Sequence, residues 1–119
     1  MIPTITRGDA IIDVNTLPAC PVETTLTLIS DKWKILIVRD LLTGTKRFSE
    51  LRRSIGHISQ KVLTSNLRQM EADGLVHREV YPEVPPRVEY SLTDTGHSLK
   101  TVIDALWNWG EDYKAKLAA

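Results

Sequence analysis

Between Phe48 and Leu92 the chain passes through a short helix, a tight turn, a second helix and two alternating strands, an order that leaves few folds open. Phe48, Leu51 and Ile55 recur at three- and four-residue spacing, which puts them on one face of a helix over 48–55. Gly56 stops that helix, and Gly56-His57-Ile58 makes the turn. Ser59 is suited to cap the next helix, Gln60 to Ala72, because its hydroxyl accepts from amides that a first turn leaves unpaired. Asp73-Gly74 closes this second element at 59–73, glycine being free to adopt a left-handed C-cap.

At about 100° per residue, Leu63, Leu67 and Met70 form an apolar stripe, while Lys61, Thr64, Ser65 and Arg68 gather on another face. That polar face is either a solvated surface or one that meets an anionic partner. Net charge does not decide, since 15 Lys plus Arg balance 15 Asp plus Glu. Charge distribution does. From Gly44 to Gln69, Lys46, Arg47, Arg52, Arg53, Lys61 and Arg68 stand against Glu50 alone, six positive charges to one negative, so the local excess is +5. A one-sided basic patch on a helix pair is the footprint of phosphate contact.

Leu75 to Tyr81 alternates as a strand, Pro82 to Pro86 turns, and Arg87 to Leu92 returns, giving a hairpin over 75–92. Pro85-Pro86 stiffens the tip, so Arg87 is set to reach a minor groove or a phosphate with little loss of loop entropy. An ordinary hairpin with a solvated Arg is the other reading. Helix, turn, helix and hairpin together read as a winged helix-turn-helix, mainly α with a small β-hairpin wing (α+β). On that reading Ser59, Gln60, Lys61, Thr64, Ser65 and Arg68 are the candidates for base edges and phosphate: Gln suits adenine, Arg and Lys suit guanine, and Thr can touch a thymine methyl. Lys46, Arg52, Arg53 and Arg87 are candidates for holding the backbone.

A chain of 119 residues makes one domain with terminal extensions: 1–19 as an N-terminal extension and 20–119 as the domain. In the extension, Ala10, Ile11, Ile12, Val14 and Leu17 are apolar enough to be ordered. A short helix follows Pro21 from Glu23 to Ile29. Asp31 caps a helix from Lys32 to Leu42 that is apolar on more than one face and so belongs at the centre of the core. Thr45-Lys46-Arg47 is a link. Thr93-Asp94 caps a last helix over about 94–117, weakened by Gly96 and Gly110. Along it Leu99, Ile103, Leu106, Tyr113 and Leu117 keep the spacing of a helix-helix seam. With Trp107 and Trp109 added, this is more apolar surface than a small domain can cover, so burial against a second copy is the economical solution. The expected assembly is a homodimer with helical dimerisation elements at both ends. Trp33, Trp107 and Trp109 are compatible with a small-effector pocket, but plain core is the simpler account of tryptophans at helical spacing.

No run of about 18 apolar residues and no basic segment followed by an apolar run occurs, so the expectation is a cytoplasmic protein with no membrane partner. Cys20, His57, His77 and His97 have the chemistry of nucleophile and base. Nothing in their spacing brings them together, no carboxylate pairs with them as an orienting group, and no metal-ligand spacing or Gly-rich phosphate loop occurs. Catalysis, metal and cofactor are therefore not expected. One cysteine cannot form an internal disulfide, and a lone thiol fits a reducing compartment. Cys20 lies just ahead of a helix N-terminus, where the dipole favours a thiolate; a buried, inert cysteine is the other reading.

Four ordered blocks, Cys20-Pro21-Val22-Glu23, Asp31-Lys32-Trp33-Lys34-Ile35-Leu36-Ile37, Arg47-Phe48-Ser49-Glu50-Leu51, and Pro85-Pro86-Arg87-Val88-Glu89-Tyr90-Ser91-Leu92-Thr93, resemble the HxlR family of bacterial regulators. The resemblance runs from residue 20 to about 113. It implies a homodimeric winged helix-turn-helix transcription factor of MarR-like architecture that binds double-stranded DNA at a palindromic operator, with repression as the expected sign. In such a dimer the two helices from Ser59 to Ala72 enter successive major grooves about 34 Å apart. Some members of the family sense electrophiles or oxidants through a cysteine at the position of Cys20, so the resemblance also implies a thiol switch and an electrophile or other small-molecule inducer. The alternative is a winged-helix module for protein contact or effector binding without specific DNA binding. Such a module would expose aromatic and aliphatic anchors where this sequence has Lys61 and Arg68.

Overall fold

The computed structural model describes residues 4–7 and 10–119, with side chains from residue 14 onward. Its elements are β1 (Thr4–Arg7), β2 (Ala10–Asp13), α1 (Pro21–Leu28), α2 (Lys32–Leu41), β3 (Lys46–Arg47), α3 (Phe48–Ile55), α4 (Gln60–Ala72), β4 (Val76–Tyr81), β5 (Arg87–Leu92), α5 (Asp94–Ser98) and α6 (Lys100–Ala118).

Asp31 starts α2 by accepting from the backbone amides of Trp33 and Lys34 at 3.0 and 3.1 Å. From there Ile37, Val38 and Leu41 point inward and are buried. Around them close Leu51 and Ile55 of α3, Leu63, Leu67 and Met70 of α4, and Leu75, Val76, Leu92 and Leu99. The apolar spacings read from α3 and α4 are thus the contacts that fix the two helices on α2. Ile58 of the turn is also core, a role that its place in a three-residue turn does not advertise. Lys34, Asp40 and Asn66 are the buried polar side chains among the described residues.

Three features differ from the sequence expectation. Thr45-Lys46-Arg47 is no mere link, because Lys46 and Arg47 pair with Tyr90 and Glu89 and make β3 the third strand of an antiparallel sheet ordered β3-β5-β4. The N-terminal end is not helical throughout: Thr4 to Arg7 pairs antiparallel with Ala10 to Asp13, a hairpin ahead of α1. Residues 1–3 and 8–9 of the expected extension lie outside the described residues. The last helix is divided at Leu99 into α5 and α6.

The start of α5 is clamped to the link between α4 and β4. Thr93 donates from its amide to Leu75 O at 3.1 Å and from Oγ1 to Gly74 O at 2.6 Å, while Oγ1 accepts from the Gly96 amide at 3.1 Å. This presses the first turn of α5 onto the end of α4. A Cβ at Gly96 would overlap Leu75 O and come within 3.1 Å of Leu92 Cδ2, so only glycine fits. Gly74, with φ at +77°, supplies the left-handed residue that turns α4 into β4.

Only the first turns of α6 reach the core, where Val102 and Ile103 are half-buried. Beyond them Leu106, Trp107, Trp109, Tyr113 and Leu117 are exposed, and α1 adds exposed Val22 and Leu26. Plain core is therefore not the role of Trp107 and Trp109 within the chain. Trp109 stacks on Tyr113 at 5.3 Å between ring centroids.

Candidate nucleic-acid interface

Local chemistry sets the two helices of the motif at a fixed angle. Glu50 accepts from the Arg47 amide at 2.9 Å and closes the N-terminus of α3. Gly56, with φ at +101°, ends α3. Arg52 Nε then donates to Ile58 O at 3.3 Å across the turn, and Ser59 Oγ accepts from the Val62 amide at 3.1 Å to start α4. His57 packs edge-on against Trp33 of α2, with centroids 5.7 Å apart. The turn is therefore tied at its carbonyl, its hydroxyl cap, its imidazole and its buried Ile58.

On α4, Leu63, Asn66, Leu67 and Met70 are buried, and Gln60, Lys61, Ser65, Arg68 and Gln69 are exposed, with Thr64 half-buried between them. Gln60, Lys61, Thr64, Ser65, Arg68 and Gln69 line one shallow concavity. Five of the six sequence-derived candidates of α4 and its cap are thus contiguous, and Gln69 joins them, its Nε2 3.5 Å from Ser65 Oγ. Position 69 follows Ser65 by four residues, the signal that would have added it. Ser59 sits at the rim, its hydroxyl already engaged as the cap.

A second concavity beside it is lined by Phe48, Ser49, Arg52, Arg53, Gly56 and Gln60. Lys46 and Arg53 lie together with Glu50 and Ser54 in a third. Among the described residues, no salt bridge engages Lys46, Arg47, Arg52, Arg53, Lys61 or Arg68. The five of these that line the concavities, Lys46, Arg52, Arg53, Lys61 and Arg68, give this side a positive potential that an anionic polymer would neutralise.

Arg87 does not belong to that free set. Its Nη1 lies 3.0 Å from Glu89 Oε2, its Nη2 lies 3.1 Å from Glu83 Oε1, and its guanidinium carbon is 3.9 Å from the centroid of Tyr81. Strand geometry causes this: Glu89 is two residues along and shares the face of Arg87, and Tyr81 is directly opposite. The Arg87 guanidinium is therefore engaged within the hairpin rather than left free in solvent.

Cys20 is exposed in the single chain and occupies the N-cap position of α1. The histidines are dispersed, on the turn, on β4 and on α5. One expectation fails, since His77 Nε2 lies 2.7 Å from Glu79 Oε2; both side chains are exposed, and Cys20 is far away in sequence on another element. Among the described residues no helix is long and apolar enough to cross a membrane.

Residues 28–118 match the HxlR-like helix-turn-helix family. The chain is 51% identical over 98 residues to the uncharacterized HTH-type transcriptional regulator YdeP of Bacillus subtilis, covering 82% of this chain and 77% of YdeP. It superposes on the reduced form of the redox regulator HypR with a TM-score of 0.77 and 48% identity, over 82% of this chain and 97% of that one. HypR is also known in an oxidised form. The reduced form of the transcriptional regulator YodB from B. subtilis matches with a TM-score of 0.70 and 36% identity, over 81% of this chain and 95% of YodB. YodB has also been crystallised after diamide treatment. These relatives are transcriptional regulators rather than enzymes. A winged helix-turn-helix with an unpaired basic face on α4, matched over most of its length to such proteins, belongs to the HxlR family of DNA-binding transcriptional regulators.

Proposed function

We propose that the protein is a homodimeric repressor that reads a palindromic operator with α4 and is released by modification of Cys20. The observation that carries the DNA reading is the contiguous row Gln60, Lys61, Thr64, Ser65 and Arg68, exposed but for half-buried Thr64 and free of carboxylates, on a helix whose other face is locked into the core. Lys46, Arg52 and Arg53 flank the row as backbone contacts. No aromatic or large aliphatic side chain stands in that row, which a protein-docking helix would need.

Dimerisation is supported by the apolar side chains left uncovered on α6 and α1. Burying one large apolar side chain contributes about 1.5–3 kcal/mol. Leu106, Trp107, Trp109, Tyr113 and Leu117 from each copy are then enough to offset an association cost of roughly 4–15 kcal/mol. A dimer spanning two half-sites blocks a promoter more readily than it recruits to one, which is the ground for repression. The thiol switch is supported by the exposure of Cys20 and by likeness to HypR and YodB. Cytoplasmic location and an electrophilic inducer follow from the same reading.

The test is retention of genomic fragments by the purified protein at moderate salt, with and without diamide. A two-fold symmetric fragment lost on oxidation in the wild type and kept by Cys20→Ser supports the whole reading. Release that persists in Cys20→Ser removes the switch, and absence of any retained fragment removes specific DNA binding.

A further inference from the structure

Side chains alternate between the two faces of a strand, and residues directly opposite each other share a face. Lys46 and Arg78 both pair with Tyr90, so Lys46, Tyr90 and Arg78 form one row across the three strands. This is the face that buries Val76 and Leu92, the one turned toward the helices. Arg87, Tyr81 and Glu89 occupy the opposite face.

The two arginines of the wing therefore have opposite surroundings. Arg87 is neutralised by Glu83 and Glu89. The Arg78 side chain has no hydrogen bond or salt bridge among the described residues, and it lines a cleft with Thr64, Leu67, Arg68 and Glu71 of α4 and with Tyr90. Two guanidinium groups share this cleft with one carboxylate. The excess positive charge lies at the junction of α4 and the wing, beside the row proposed to read the operator.

We infer that Arg78 and Arg68 together hold a backbone phosphate at the edge of the groove entered by α4, so that the wing engages the duplex through its base rather than its tip. The inference rests on the DNA-binding reading above. Guanidinium matches phosphate geometry through paired N–H donors, and two of them converging on one anion relieve their mutual repulsion.

The probe is a duplex selected from a random pool by the wild-type protein, titrated at several salt concentrations with the wild type, Arg78→Ala, Arg78→Gln, Arg78→Lys and Arg87→Ala. Thermal melting shows which variants keep the fold, and Arg78→Gln retains the side-chain stem should Arg78→Ala lose it. The expected result is about tenfold weaker binding for the neutral Arg78 variants. Their plot of log affinity against log salt should be shallower, by at most about 1.8, which is twice 0.9 because a dimer presents the cleft twice and Arg68 stays on each phosphate. Arg78→Lys should keep most of the wild-type slope, and Arg87→Ala should keep all of it. Folded Arg78→Gln with the wild-type slope overturns the inference, as does Arg87→Ala with a slope as shallow as that of the neutral Arg78 variants. A wild type that selects no duplex overturns the DNA-binding reading itself.

Discussion

Ser54 on α3 donates to Asp40 on α2 at 2.7 Å, and the second oxygen of the same buried carboxylate accepts from Arg39 Nε at 2.7 Å. This is the one polar clamp between the first helix of the motif and the central helix among the described residues. A hydrogen bond to a charged group contributes about 1.5–3 kcal/mol. Ser54→Ala should lower the melting temperature by roughly 4 °C for each kcal/mol removed, and Asp40→Ala should cost at least as much. Calorimetry checks both; an unchanged Ser54→Ala would show that apolar packing alone fixes α3 on α2.

Gly96 should tolerate no side chain. The atom in the way of its Cβ is the backbone carbonyl of Leu75, in the link between α4 and β4, which cannot swing aside as a side-chain tip can. Gly96→Ala is expected to destabilise the fold by about 3 kcal/mol, the upper part of the overpacking range. Gly110, whose Cβ would meet nothing within 4 Å, should accept Ala in the isolated chain with a small gain, and denaturant midpoints distinguish the two.

Operator binding should depend on Lys61 and Arg68 in a way that salt reveals. If each meets a phosphate, alanine at either position lowers affinity across all sequences and flattens the salt dependence by about 0.9 for every phosphate no longer neutralised. If Lys61 instead reads a base edge, Lys61→Ala relaxes the preference at one position of each half-site and costs about 1–3 kcal/mol there. Unchanged affinity in both variants would remove this face of α4 from the interface.

Assembly should fail before folding does when a charge is placed on the far part of α6. Trp107 is 64% exposed in the single chain, so Trp107→Asp removes little from the intrachain core. The expected product is a folded monomer by sedimentation, with specific DNA affinity lost because the two half-sites are no longer read together. A dimer of wild-type strength would place the interface elsewhere.

Much of the motif was legible because its signals are local. Ser59 as a cap, Gly56 and Gly74 as stops, and the three-four spacing of Phe48, Leu51 and Ile55 all act within one turn of the chain, and the structure has them in those roles. What was missed depends on partners distant in sequence. Lys46 and Arg47 become a strand only because Tyr90 and Glu89 arrive beside them. Gly96 looks like a weak helix residue until Leu75 O is seen against it. The same holds for the basic face. Lys61, Thr64, Ser65 and Arg68 group by helical periodicity alone, whereas the two carboxylate partners of Arg87, although close in sequence, pair with it only through strand alternation and the return of the hairpin. Arg78 carries no such signal, since nothing in the string of β4 tells which face meets α4.

Thr93 gives the molecule a mechanical property. By holding the carbonyls of both Gly74 and Leu75 while capping α5, it leaves no slack between the end of α4 and the start of the α5–α6 arm. With 19 residues at about 1.5 Å each, α6 is a lever of about 28 Å. Swinging such a lever by about 10° displaces its far end by about 5 Å, more than the roughly 3.4 Å step between neighbouring base pairs. In the dimer proposed above, a subunit jointed this way would work as one leg of a caliper: the gap between the two reading helices would be set where the legs meet, far from any base, and a change there too small to disturb either core would be enough to put both helices out of step with their grooves.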